Sequence, residues 1–160
     1  EVAAGLEGAA LREPGRLVPL ELTDGTLLLD DTYNANPGSV RSSIGVAQEL
    51  ARDRGARLVL VLGEMRELGA LSVEEHRRLG AALAVVAPAL VVGIAGDAVH
   101  LVRAAAAAGV EAAFAADVEG AAAPLRAGVR AGDVVLVKGS RSVGAERLVE
   151  GLAGAHGGPG

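Results

Sequence analysis

The sequence predicts a three-layer α/β domain: a mainly parallel sheet of about six strands, one antiparallel edge strand, and helices on both faces. Three observations predict it. Short apolar runs such as Leu58-Val59-Leu60-Val61-Leu62 and Val134-Val135-Leu136-Val137 are continuous rather than alternating, as suits strands buried on both faces. Helical patterns separate these runs, so the chain reads as successive βαβ units. Near the start, Thr23-Asp24-Gly25 stands between two short apolar stretches, which signals a hairpin.

The elements follow in order. Val2 to Arg12 has helical spacing at Val2, Leu6, Ala9 and Ala10, and stops at Pro14-Gly15. Arg16–Leu22 and Thr26–Asp30 are the arms of the hairpin. Ser39–Arg54 carries Val40, Ile44, Ala47 and Leu50 on one helical face. Strand Leu58–Leu62 is followed by a helix over Val73–Ala87, with Ser72 and Glu75 spaced as a capping box. Leu90–Ile94 and Ala112–Ala115 are the next strands. Asp97 and Asp117 stand where N-caps belong, ahead of helices through Val102 and Leu125. The strand Val134–Val137 leads to a last helix over Val143–Leu152. Residues 1–15 are expected to end a preceding unit, 16–152 to form the domain, and 153–160 to be a loose tail. The opening Glu1-Val2-Ala3-Ala4, without an initiator Met, suggests a piece of a longer chain.

Composition narrows the function. The 160 residues carry 15 basic and 20 acidic side chains, a net charge of −5 that leaves no basic stripe for a phosphate backbone. One Tyr, one Phe and no Trp give no stacking platform for bases, so nucleic-acid binding is disfavoured. Without cysteine there is no disulfide, thiolate metal site or cysteine nucleophile. Apolar stretches are broken every few residues, well short of the ~20 needed to span a bilayer.

In parallel sheets, ligands bind beyond the carboxyl ends of the strands. Four loops follow strands there: 30–37, 63–69, 95–97 and 138–141. The first, Asp30-Asp31-Thr32-Tyr33-Asn34-Ala35-Asn36-Pro37, holds the only Tyr. Asp, Asn and Pro are ordinary turn and helix-start residues, but that does not account for the Tyr or the second Asp. A carboxylate at a strand end is suited to gripping ribose hydroxyls. The fourth loop holds the only lysine, Lys138, with Gly139, Ser140 and Arg141 at a strand-to-helix junction, a plausible anion site unless these are solvated loop charges. No P-loop occurs, and Gly93-Ile94-Ala95-Gly96 is too short for a dinucleotide fingerprint. His76, within Glu74-Glu75-His76-Arg77-Arg78, reads as a surface residue.

Taken together, these loops are recognisable. Asp-Asp-Thr-Tyr-Asn-Ala-Asn-Pro at 30–37 resembles the signature that opens the C-terminal domain of the Mur ligases, in the form carried by the D-alanyl-D-alanine-adding branch. Leu62-Gly63-Glu64-Met65-Arg66-Glu67-Leu68-Gly69, with His76 and Gly80 downstream, resembles the family's next segment, where Asp is common at the place of Glu64. Val137-Lys138-Gly139-Ser140-Arg141 resembles its closing motif, and Pro14-Gly15-Arg16 the junction out of the central ATPase domain.

The resemblance implies a Rossmann-like C-terminal domain of a cytoplasmic, three-domain ligase, expected to be a monomer. Such an enzyme uses ATP and Mg²⁺, held mainly by the central domain, to activate UDP-N-acetylmuramoyl-tripeptide as an acyl phosphate, which the amine of D-Ala-D-Ala attacks. It further implies that this domain closes over ATP against its own N-terminal and central domains, and that it contributes no catalytic residue or metal ligand. Carried across, Asp31 is the candidate for the ribose hydroxyls, with Asp30 the alternative, since the strand end could fall one residue either way. Tyr33, Asn34 and Asn36 would line the nucleotide side of the cleft. Lys138, Ser140 and Arg141 would meet the dipeptide carboxylate or the transferring phosphate. Two rivals are another Mur or folylpolyglutamate-type ligase and a non-catalytic nucleotide-binding module. The Tyr33-Asn34-Ala35-Asn36-Pro37 wording argues against the first, and the N-terminal helix without a partner against the second.

Overall fold

The structure, a computed structural model, describes residues 15–159. The expected helix over Val2–Arg12 lies outside them. Six strands form one sheet: β1 Val18–Glu21, β2 Leu27–Asp31, β3 Leu58–Gly63, β4 Leu90–Ile94, β5 Ala112–Ala115 and β6 Val134–Lys138. Their spatial order is β1-β2-β6-β3-β4-β5. Only β1 is antiparallel to its neighbour, with Val18 opposite Asp30; every other adjacent pair is parallel. The helices are α1 Pro37–Arg54, α2 Ser72–Val86, α3 Ala98–Ala107, α4 Val118–Gly128 and α5 Glu146–Ala155.

Alternation along the strands divides the core in two. Leu27, Leu29, Leu58, Leu60, Leu62, Val134 and Leu136 pack against α1, α2 and α3. Leu28, Val59, Val61, Val92, Ile94, Val135 and Val137 pack against α4 and α5. Three inner strands, β3, β4 and β6, are buried at every position, which explains their apolar runs. The expected three-layer sheet is observed, including its antiparallel edge.

Local differences follow from particular contacts. Helix α1 starts two residues before the predicted Ser39, because Asn36 caps it: the Asn36 Oδ1 accepts the Ser39 N–H at 3.0 Å and the Ser39 Oγ accepts the Asn36 N–H at 3.1 Å. The capping box expected from Ser72 and Glu75 does not form. A 3₁₀ turn, Gly69–Leu71, runs straight into α2, so Ser72 is already helical. Asp97 does not cap α3 with its side chain either; its backbone N–H is received by the Glu64 carboxylate at 2.7 Å, from the end of β3. Asp117 does cap α4, accepting the Gly120 N–H at 2.8 Å. The last helix starts three residues later than predicted, because Gly144 adopts a left-handed φ of 75° and ends the preceding turn Arg141–Val143.

Two further expectations are corrected. His76 is fully buried, not on the surface: its Nε2 accepts the Met65 N–H at 3.0 Å, and its Nδ1 lies 2.7 Å from the Ser72 carbonyl. A neutral ring with the proton on Nδ1 satisfies both bonds, so His76 ties the loop after β3 to α2. Residues 153–159, expected to hang loose, continue α5 and then fold back on the hairpin. The Thr23 N–H donates to the Gly158 carbonyl at 3.1 Å, Leu22 bridges Pro159, and the His156 Nδ1 lies 2.6 Å from the Asp24 carboxylate.

Candidate functional site

Strands β2 and β6 are neighbours, and their last residues, Asp31 and Lys138, are in register. Both side chains take the face covered by α1, where they are buried at 7% and 4% exposure. Neither could stay charged in that position alone. The Lys138 Nζ lies 3.0 Å from the Asp31 Oδ2 and donates at 2.7 Å to the Asn34 carbonyl. The same Oδ2 accepts a short hydrogen bond from the Ser43 hydroxyl of α1. Two donors thus converge on one carboxylate oxygen. Among the described residues, no hydrogen bond engages the other oxygen, Oδ1.

These groups floor an open cleft of about 800 Å³, whose walls include Arg16, Tyr33, Asn34, Asn36, Ser39 and Ser42. The volume lies within the usual range of small-molecule sites. Tyr33 lines the cleft and carries two guanidinium groups on its ring, with the Arg16 Cζ 3.8 Å and the Arg141 Cζ 4.4 Å from the ring centroid. The Tyr33 N–H also donates to the Gly15 carbonyl at 2.8 Å. Gly15 sits at a φ of 76°, and a Cβ there would crowd Thr32 and the Tyr33 backbone, so the close approach calls for glycine.

The candidates therefore separate. Asp31, Tyr33, Asn34, Asn36 and Lys138 share the cleft, and Arg141 joins them through Tyr33. Asp30, one residue earlier, faces the opposite side of the sheet, and its Oδ1 accepts the Thr32 hydroxyl at 2.7 Å. Ser140 is buried with its Oγ 2.8 Å from that of Ser142. Asn36 spends its side chain on the α1 cap. Lys138 and Arg141 do not converge on a common anion position: one is locked to Asp31, the other is stacked on the ring. Ser43 lies outside the four loops and carried little sequence signal. It stands three residues after Val40 and four before Ala47, and a hydroxyl on that apolar stripe was the only clue. Among the described residues, no group of three or more His, Cys, Asp or Glu is arranged to hold a metal ion, and the one carboxylate lining the cleft, Asp31, is already paired with Lys138. No described helix is long and apolar enough to cross a membrane.

Residues 15–141 match the family described as "Mur ligase, glutamate ligase domain". The chain belongs to that family. It is 37% identical over 169 residues to the UDP-N-acetylmuramoyl-tripeptide--D-alanyl-D-alanine ligase of Mycobacterium leprae, covering 96% of this chain and 33% of the relative. Identity to the Escherichia coli ligase of the same name is 38% over 139 residues, covering 87% and 29%. The MurF ligase of Thermotoga maritima, solved in complex with ADP, superposes with a TM-score of 0.69 at 33% identity, over 87% of this chain and 30% of that one. MurF from Acinetobacter baumannii gives a TM-score of 0.72 at 29% identity, over 88% and 30%. The chain thus spans about a third of the length of the curated relatives it matches. It is similar to the C-terminal domain of the D-alanyl-D-alanine-adding Mur ligases, and the resemblance read from its four motifs is borne out.

Proposed function

We propose that this chain is the C-terminal domain of an ATP-dependent ligase that joins D-Ala-D-Ala to UDP-N-acetylmuramoyl-tripeptide in the cytoplasm. Residues 1–15 then end the central ATPase domain, and 16–152 form the closing domain. The observation that carries the reading is the assembly of the 30–37 and 138–141 loops around one cleft, floored by the Asp31–Lys138 pair. The same loops carry the family resemblance, and the relatives quoted above are named for this ligation.

In the proposed reaction, the tripeptide carboxylate takes the γ-phosphoryl group of ATP, giving an acyl phosphate and ADP. The D-Ala-D-Ala amine attacks its carbonyl carbon, loses a proton, and the collapsing intermediate expels phosphate as the amide forms. The residues of this domain bind and orient. Asp31 offers acceptor oxygen to the ribose hydroxyls, which donate hydrogen bonds and need no opposite charge. Tyr33, Asn34 and Asn36 line the nucleotide side. Arg141 supplies the accessible cation for the dipeptide carboxylate or the transferring phosphate, with Ser140 beside it. Lys138 has two of its three donors engaged by Asp31 and Asn34, so its contribution to an anion passes through the remaining one. Closure over the nucleotide brings these groups to the reacting atoms, a gain in proximity and charge placement.

The test compares the full-length protein with the 160-residue chain, each incubated with ATP, Mg²⁺, UDP-N-acetylmuramoyl-tripeptide and D-Ala-D-Ala. The full-length protein should form the UDP-linked pentapeptide with one ADP and one phosphate, and the isolated chain should release phosphate no faster than buffer. Phosphate release by the isolated chain, or a full-length protein that accepts only another amino acid, would overturn the reading.

A further inference from the structure

We propose that Ser43 is a positioning residue for nucleotide binding, fixing the Asp31 carboxylate so that one oxygen is spent inside the fold and the other is presented to the cleft. The inference rests on the function proposed above and concerns a residue outside the four loops.

A lone carboxylate at a strand end rotates about its terminal torsion, which is broad and roughly two-fold. A partner on one oxygen still leaves that rotation poorly determined. Here the Asp31 Oδ2 receives two donors from different directions: the Lys138 Nζ from the adjacent strand at 3.0 Å, and the Ser43 hydroxyl from the helix above. Ser43 is itself 6% exposed, on the buried stripe of α1 with Val40, Ile44, Ala47 and Ala51. That stripe has no other polar member. An Ala at 43 would suit both the stripe and the helix better than Ser, since Ser has the lower helix propensity. The hydroxyl therefore costs the fold something locally and returns a bond to one atom only. With Oδ2 doubly engaged, Oδ1 is the oxygen without a described partner, and Asp31, Ser43 and Lys138 all border the cleft. A pre-oriented acceptor of this kind lowers the ordering cost of binding paired hydroxyls.

The test uses the full-length ligase and steady-state kinetics of Ser43→Ala, with Asp31→Asn as the benchmark. Ser43→Ala should raise the KM for ATP about tenfold, the scale of a lost hydrogen bond to a charged group, while the KM for D-Ala-D-Ala and for the tripeptide stays within about twofold. Its melting temperature should fall by only a few degrees, because the gain in helix propensity offsets part of the lost bond. If Asp31→Asn raises the KM for ATP but Ser43→Ala does not, the positioning role is refuted and the site assignment stands. A uniform loss across all three substrates with a matching fall in melting temperature makes Ser43 merely structural, and likewise refutes it. If neither variant alters ATP saturation, the nucleotide assignment of the cleft falls as well.

Discussion

Removing one member of the Asp31–Lys138 pair should cost far more than removing both. At 3.0 Å and an effective dielectric constant of about 20, the attraction between the two charges is about 5 kcal/mol before desolvation is counted. With both side chains buried, most of that gain offsets the loss of water. Breaking such a pair from one side leaves a buried charge uncompensated, at a cost of about 3–5 kcal/mol, whereas a neutral replacement of both is often close to harmless. Lys138→Met leaves Asp31 with Ser43 alone, and Asp31→Asn leaves Lys138 with Asn34 and a neutral amide. Each should lower the unfolding free energy of this chain by about 2–4 kcal/mol in urea titrations. The double variant should lose less than either single variant, so that the coupling energy exceeds the larger single cost. Single-variant losses below about 0.5 kcal/mol, adding without coupling, would refute the buried pair. The pairing also changes what kinetics can separate. Asp31 and Lys138 were expected to serve nucleotide and amino substrate independently, but substitution of either disturbs the other.

Three further outcomes follow from contacts away from the cleft. His76→Ala strips the Met65 N–H of its buried acceptor and opens a void, so thermal melting should show a loss of about 2–4 kcal/mol; a change below about 0.5 kcal/mol would contradict its burial. Gly80→Ala places a methyl group into the Leu101 carbonyl between α2 and α3, and despite better helix propensity it should destabilise by about 1–3 kcal/mol; a stabilised variant would refute that close approach. Partial desolvation pushes the Asp24 carboxyl up, but the hydrogen bond from the Thr26 backbone N–H and the contact with His156 outweigh it and hold the carboxyl below its ordinary value. A carboxyl lowered on folding stabilises above its unfolded value, and that contribution is lost as the pH falls through the folded value. The stability difference between wild type and Asp24→Asn should therefore shrink as the pH falls below about 4, and a difference independent of pH between about 5 and about 2 would contradict it.

The layered fold was legible because its signal is local. The strands β3, β4 and β6 are buried on both faces, so their sequences are apolar without interruption, and periodicity alone locates them. The loops that border the cleft were legible through Asp31, Tyr33 and Lys138, each an unusual residue at a strand end. What could not be read depends on contacts between segments distant in sequence. Glu64 receives the N–H of Asp97 from the loop after the neighbouring strand, and no spacing rule reports that. His76 sits among charged neighbours, yet the helix turns it inward to meet a loop eleven residues away. Ser43 gives no signal of its own on an apolar stripe; the register of β2 and β6 puts a carboxylate beneath it. The choice between Asp30 and Asp31 likewise needed the strand's alternation, which one residue of slip would reverse.

ATP saturation of the full-length ligase carrying Asp31→Asn decides whether the cleft holds the nucleotide. A KM for ATP raised at least about tenfold is expected, and raised by more than the KM for D-Ala-D-Ala, which the disturbed Lys138 alters less. An ATP saturation curve that overlays the wild type would contradict it, and would leave the loops around the cleft as turns that close a fold rather than a site that holds a nucleotide.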